Sequence, residues 1–319
     1  MSAQDLTLDR YHALMQTNAE AQLVRQAREI GVFDALQQGQ LTQEAIVERL
    51  GTDPRLTGLL LDSLVALHVL ERYGDDYALS AVMRLLCLHD RTLGDEAWGS
   101  LGSRLRGEET LETEAFLDAA TATQWVHTGA AKQAAEILDI TGERAGRRIL
   151  DLGCGSAVWS CAMAFADPTA TVTAVDTPPR LAAARRTISS IGLDDRYEVL
   201  EGDPLEIPLE EEAYDLVVMA GRLSAESPER DPEIFRRVEG VLRGGGELAV
   251  IDLFRGPTGP NLTEAVEALR LAVSTPQGHI RDAEAMRKSL LELGFGACQF
   301  AFLAASRQGY GLLLAAKKD

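Results

Sequence analysis

The run Arg148-Ile149-Leu150-Asp151-Leu152 passes directly into Gly153-Cys154-Gly155-Ser156 and then into an apolar stretch from Val158 to Phe165. No other segment constrains the chain as much. Apolar strand-length residues, a two-glycine turn and a helix-length apolar stretch make up the unit that opens a doubly wound α/β sheet. The two glycines let the backbone turn sharply and come close to a ligand. The N-terminus of the helix behind them presents N–H groups without intrahelical partners. Ligands of such sheets bind beyond the carboxyl ends of the strands. A dinucleotide fingerprint would place a third glycine where this chain has Val158, which weighs against a nicotinamide dinucleotide.

The pattern downstream alternates. Strands are expected at 170–176, 197–200, 214–219 and 246–253, with helices at 180–191, 234–242 and 283–294. A terminal pair of strands is expected at 299–304 and 311–316. Strands joined by helical crossovers predict a Rossmann-like, doubly wound parallel sheet. Asp176 ends the second strand, 21 residues beyond Gly155, where a carboxylate can accept hydrogen bonds from both hydroxyls of a ribose. It can equally cap the helix that follows Thr177-Pro178-Pro179. After the third strand, Asp203 in Glu201-Gly202-Asp203-Pro204-Leu205 can accept from the amino group of a base, or simply form a turn.

Before residue 145 the chain reads as almost wholly helical. Thr42 caps one short helix and Gly51 ends it; Asp53-Pro54 opens the next. Two strands around Gly74-Asp75-Asp76 then form a hairpin, which completes a winged helix-turn-helix. A DNA reader needs a basic face for phosphates. Residues 41–90 instead carry eight acids, Asp90 among them, against four arginines, and the chain has a net charge of −18. Nucleic acid is therefore not an expected partner, and a dimerising role fits better. A long helix is predicted from Glu112 to Leu138. The expected division is a helical winged-helix dimerisation domain at 1–110, a linker helix at 111–145 and a ligand-binding domain at 146–319. Cys87, Cys154, Cys161 and Cys298 fit no zinc pattern and no disulfide framework. No apolar run is long enough to span a bilayer, and the N-terminus lacks a secretory signal, so no membrane partner and a cytoplasmic location are expected.

The glycine turn, the strand-end Asp176 and the Asp203 turn together resemble the class I S-adenosylmethionine (SAM)-dependent methyltransferases. Gly31-Val32-Phe33-Asp34-Ala35-Leu36, Leu60-Leu61-Asp62-Ser63-Leu64 and Tyr77-Ala78-Leu79-Ser80 resemble the dimerisation domain of the caffeate-type O-methyltransferases and their bacterial relatives. Arg243-Gly244-Gly245-Gly246 before the fifth strand and Arg281-Asp282-Ala283-Glu284-Ala285-Met286 extend the likeness over nearly the whole chain. The resemblance implies SAM as cofactor, held by Asp151, Gly153, Gly155, Asp176, Thr177, Asp203, Pro204, Met219 and Ala220. It also implies a homodimer, and O-methylation of a small molecule with a phenolic, hydroxyl or carboxylate acceptor. A SAM-binding member without methyl transfer and a SAM-sensing regulator are the alternative expectations.

One departure stands out. O-methylating relatives place a proton-abstracting histidine after the fourth strand, at or next to Ala225 here. The stretch from Arg222 to Pro228 has none. Arg222, stabilising an acceptor anion, and Glu226, acting as a base, are the catalytic candidates. Trp125, His127 and His279 are the candidates for lining the acceptor site, and either histidine could instead reach in from elsewhere in place of the missing base. His12, His68 and His89 are read as structural. No metal site is expected.

Overall fold

The computed structural model describes residues 3–84, 95–108, 112–142, 144–256 and 260–318. Cys87, His89 and Asp90 lie outside the described residues. The chain forms two compact units, Met1–Leu93 and Gly94–Asp319.

The first unit contains α1 (Ala3–Glu29), α2 (Val32–Leu36), α3 (Gln43–Leu50) and α4 (Pro54–Ala66). The short strand β1 (Leu41–Thr42) joins the hairpin β2 (Leu70–Tyr73) and β3 (Asp76–Leu79) in the order β1-β3-β2. The caps are those the sequence prescribes. Thr42 Oγ1 accepts from the Ala45 N–H at 3.2 Å, and Asp53 Oδ1 from the Leu56 N–H at 2.8 Å. Phe33, Leu36, Ile46, Leu61 and Leu64 close one apolar core under the wing. Helix α1 leaves Leu8, Tyr11, Leu14 and Met15 each more than half exposed.

The second unit is built on β4 (Arg148–Leu152), β5 (Thr171–Asp176), β6 (Tyr197–Glu201), β7 (Tyr214–Ala220), β8 (Leu242–Arg255), β10 (Phe295–Phe302) and β11 (Tyr310–Lys317); the two-residue β9 (Arg281–Asp282) pairs with the end of β8. The strand order is β10-β11-β8-β7-β4-β5-β6. Strand β4 pairs in parallel with both β5 and β7, so the order reverses there and opens the ligand crevice of a doubly wound sheet. The last two strands form the expected terminal pair, and they run antiparallel. Two apolar clusters fill the two faces of the sheet. One lies around Ile149, Val218 and Ile251, the other around Leu150, Val217 and Val250, as the period of two along each strand requires.

The segments read as a linker helix belong to this second unit, and they are not one helix. α5 (Thr113–Thr123) gives way to a 3₁₀ turn, Gln124–His127, before α6 (Thr128–Ile137). The break falls among hydroxyls that bond back to the chain. Thr121 Oγ1 donates to Leu117 O at 2.9 Å and Thr123 Oγ1 to Ala119 O at 3.1 Å. Such back-bonding bends helices. Helical periodicity continues across the break, so the sequence pattern does not reveal it. The remaining helices of interest are α7 (Val158–Ala166), α8 (Pro178–Ser190), α9 (Asp231–Val241) and α10 (Leu262–Ser274).

Candidate functional site

The glycine turn stands at the carboxyl ends of β4 and β5. Gly153 and Gly155 have φ of +75° and +57°, where a side chain is strained. The N–H groups of Gly153 and Cys154 donate to Val175 O at 2.9 and 3.2 Å, and Gly155 N–H donates to Asp176 Oδ2 at 2.9 Å. The turn is thus tied to the end of β5. A Cβ on Gly153 would lie 2.9 Å from the aliphatic stem of Arg222; one on Gly155 would lie 3.1 Å from Gln124 Nε2 and 3.2 Å from Thr121 Oγ1. Gln124 Oε1 accepts from the Ser156 N–H at 2.9 Å and from Ser156 Oγ at 2.8 Å, with the Val158 N–H at 3.4 Å. The N–H groups at the start of α7 are therefore covered by one amide from the 3₁₀ turn.

Asp176 is 2% exposed. Its Oδ1 accepts from the Thr177 N–H at 2.8 Å and from Arg180 Nη1 at 3.1 Å, so three donors hold it and about one of a carboxylate's four lone-pair positions remains. Thr177 is the N-cap of α8 and gives no side-chain cap. Asp151, 1% exposed, accepts from Ser160 Oγ at 2.5 Å, and burial pushes its carboxyl up to about 7. Asp203 accepts from the Leu205 N–H at 2.8 Å through Oδ1, so the turn that competed with ligand binding does form, with the side chain exposed and Pro204 buried beside it. The Met219 side chain is fully buried among the sheet residues of one core cluster, and Ala220 packs into the other. At these two positions only the backbone and the Ala220 methyl border the strand end.

Beyond β7, Gly221 (φ +67°) leads into Arg222. The Arg222 guanidinium is buried, and its Nη1 donates to Glu226 Oε1. The other Glu226 oxygen accepts from Arg230 Nη1 at 2.6 Å, and Glu226 O accepts from Arg281 Nη1 at 3.1 Å. Glu226 is thus a buried carboxylate with a cation on each oxygen, and service as a base would require it to leave them. Arg222 Nε is buried with no hydrogen-bond partner, as is Trp125 Nε1. Ala225 is buried, with no imidazole in its place.

His127 belongs to a cluster of three aromatic rings, in which Trp159 and Tyr310 are themselves 6.2 Å apart. The His127 centroid is 5.6 Å from that of Trp159, nearly parallel, and 4.7 Å from that of Tyr310. Burial and then the charge of Arg270 lower its pKa to about 4, so it is neutral at pH 7. Burial pushes the Tyr310 phenol up, with the Asp252 charge adding to it. The Tyr310 hydroxyl lies 4.0 Å from where a Gly221 Cβ would be, and Arg270 of α10 stands over Phe116 at 5.5 Å. His127, Trp159 and Tyr310 thus form an aromatic wall beside the turn and the end of β7. His279 is apart from it. Its side chain is exposed, and its backbone N–H donates to Ser224 O at 2.8 Å. The expectation placed it at the acceptor site, whereas in the structure the residue is exposed.

Sequence reasoning passed over Gln124, Arg180, Trp159, Tyr310 and Asp252. Asp252 is 4% exposed, accepts from the Ser224 N–H at 3.0 Å and is shifted upward by burial. Its position in β8 just past the last pair with parallel β7, Ala220–Ile251, was the available signal. Gln124 and Arg180 act through partners distant in sequence and gave none. As a cradle the site is consistent. Two glycines at positive φ with crowded Cβ positions, a buried guanidinium N–H with no partner and a strand-end carboxylate are what a polar, ribose-bearing cofactor requires. Among the described residues no cluster could hold a metal ion, and no helix is long and apolar enough to cross a membrane.

Residues 149–246 match the methyltransferase domain family, and residues 13–88 match the O-methyltransferase dimerisation domain. The N,N-dimethyltransferase OxyT of Streptomyces rimosus is 26% identical over 301 residues, covering 86% of this chain and 87% of that protein. Acetylserotonin O-methyltransferase of Mus musculus is 26% identical over 323 residues, covering 90% of this chain and 82% of that protein. The crystal structure of human N-acetylserotonin methyltransferase in complex with SAM superposes with a TM-score of 0.70 at 22% identity, covering 100% of this chain and 99% of the other. The chain belongs to the class I SAM-dependent methyltransferases that carry an O-methyltransferase dimerisation domain.

Proposed function

We propose that this methyltransferase works as a homodimer and moves the methyl group of SAM to an oxygen of an aromatic small molecule. The observation that carries the acceptor reading is the wall of His127, Trp159 and Tyr310 beside the glycine turn and Gly221. Flat aromatic surfaces favour a flat acceptor. SAM supplies an electrophilic methyl on a sulfonium. The chain's part is to hold, align and shield. Asp176 takes the ribose, Gly153 and Gly155 leave room for the cofactor backbone, and Asp203 faces the base. Asp151, Thr177, Pro204, Met219 and Ala220 complete the cofactor's surroundings. Trp125 and His127 belong to the acceptor side of the cleft.

In this reading Arg222 replaces the missing base by electrostatics. Its free Nε donates to an acceptor oxygen that is already ionised, a carboxylate or an acidic phenol, and Glu226 holds the guanidinium in place. Alignment then supplies most of the acceleration, because an ionised acceptor has no proton to lose. Neutral His127 is a second polar contact for the acceptor. The homodimer reading rests on the dimerisation-domain match and on the apolar side chains that α1 exposes.

The test is a panel assay with methyl-labelled SAM, scored by transfer and by release of S-adenosylhomocysteine (SAH). Labelled product from aromatic carboxylates or acidic phenols is expected. A nitrogen acceptor is the second reading. A neutral amine needs no base, which suits the absence of histidine from Arg222 to Pro228, and OxyT is named for transfer to nitrogen. Label on amines alone would replace the first reading by the second.

A further inference from the structure

Arg180 pairs with three carboxylates. Its side chain is 5% exposed, and each of its three nitrogens has a carboxylate. Nη1 donates to Asp176 Oδ1 at 3.1 Å, Nε to Asp118 Oδ1 at 2.9 Å, and Nη2 to Glu114 Oε2 at 2.5 Å. Asp118 and Glu114 lie four residues apart on α5 and so share one face of that helix. The same face continues to Thr121, whose hydroxyl borders Gly155, and the turn after it delivers Gln124 to the N–H groups of the glycine turn. One face of α5 and its following turn thus covers the cleft from the Asp176 end to the start of α7. Arg180 joins that cover to the strand-end carboxylate. A buried guanidinium with a fixed fork fixes the rotamer of the carboxylate it pairs with.

We propose that Arg180 is the positioning residue for Asp176 and that through Arg180 the cofactor's ribose is coupled to the seating of α5. The pairing has two consequences. It holds the Asp176 carboxylate in one orientation while its last lone pair stays open to a hydroxyl. It also makes α5 a cover that is tightest when the ribose is in place. The inference rests on Asp176 being the ribose carboxylate.

The experiment is a double-mutant cycle on SAH binding by calorimetry, with R180M, D176N and the double variant, each checked for a native near-UV spectrum. R180M is expected to weaken SAH binding by about tenfold or more, a loss of at least 1.4 kcal/mol. R180K, which keeps the charge but not the fork, is expected to recover part of the loss. In the D176N background R180M is expected to add little. Equal losses from R180M in both backgrounds, or unchanged affinity in R180M, overturn the proposal. Unchanged affinity in D176N alone removes the ribose assignment beneath it, which separates the two failures. If R180M does not fold, the exposed pair E114Q/D118N carries the test by hydrogen exchange. SAH is expected to slow exchange in 113–123 of the unaltered protein and to lose that effect in the double variant. The same protection in both overturns the coupling.

Discussion

The backbone N–H of Gly155 donates to Asp176 Oδ2 at 2.9 Å, so the glycine turn after β4 and the carboxylate at the end of β5 form one rigid unit. Removing that carboxylate therefore disturbs the turn as well as the proposed ribose contact. D176A is expected to weaken SAM and SAH binding by about a hundredfold, the worth of one or two hydrogen bonds to a charged group. Calorimetric titration measures it, and an unchanged dissociation constant would remove Asp176 from the site.

A side chain at either glycine of the turn is strained by the positive φ and crowded by its neighbours. At Gly153 a methyl would meet the stem of Arg222 at 2.9 Å, and φ is +75°. At Gly155 the neighbours are Gln124 and Thr121. G153A is expected to cost about 1–2 kcal/mol from the left-handed backbone, plus a displaced Arg222. G155A is expected to cost a similar amount and to loosen the 3₁₀ turn. Thermal unfolding and SAH binding check both, and a variant that keeps full affinity and melting temperature would show that the cradle has spare room.

Arg222 and Glu226 are both buried and share an ion pair, so their variants separate stability from turnover. R222A leaves Glu226 with Arg230 as its cation and leaves the end of β7 without its donor. Loss of one partner of a buried pair costs about 3 kcal/mol or more, less here because Arg230 remains. R222K keeps the charge without the Nε donor. It is expected to fold normally and to lose turnover about a hundredfold, within the range for a lost electrostatic donor. Normal turnover in R222K would show that Nε does not act on the acceptor.

Two buried groups set opposite pH dependences. Asp151 titrates at about 7 in the fold, against about 3.9 unfolded. Between those values the native state holds the extra proton. Its contribution is therefore complete below the unfolded value and is lost as pH rises toward 7. His127 titrates at about 4 in the fold, against about 6.5 unfolded. Here the unfolded state holds the extra proton, and the contribution is present above about 6.5 and lost as pH falls through 4. Urea titrations from pH 4 to 8 should show D151N gaining stability relative to the parent as pH rises, and H127F gaining as pH falls. Parallel pH profiles for parent and variants would contradict both assignments.

Leu8, Tyr11, Leu14 and Met15 are 55%, 58%, 52% and 53% exposed on α1. An apolar face of that kind marks an interaction surface. L8E/L14E is expected to give a monomer by light scattering where the parent gives a dimer. A dimer that survives the double substitution would place the contact elsewhere.

How much of this was legible varies by residue. The glycine turn, Asp176 and the caps at Thr42 and Asp53 were readable because their partners lie within one element or at the ends of adjacent strands. Glu226 read as a candidate base and His279 as a residue lining the acceptor site. The structure pairs the first with Arg222 and Arg230 and turns the second to solvent. Neither outcome follows from the identities of neighbours, because each depends on how the loop after β7 packs against the segment before β9.

The sequence alone determined the alternation of strands and helices, the position of the crevice at β4, the acidic winged unit and the family. These follow from periodicity, capping and turn chemistry, which act over a few residues. Only the tertiary structure decided that Gln124 covers the start of α7, that Arg180 reaches Glu114 and Asp118 from more than 60 residues away, and that His127, Trp159 and Tyr310 cluster. Contacts of that kind arise when elements dock, because burying a charge or a polar group selects whichever partner the packing brings within reach.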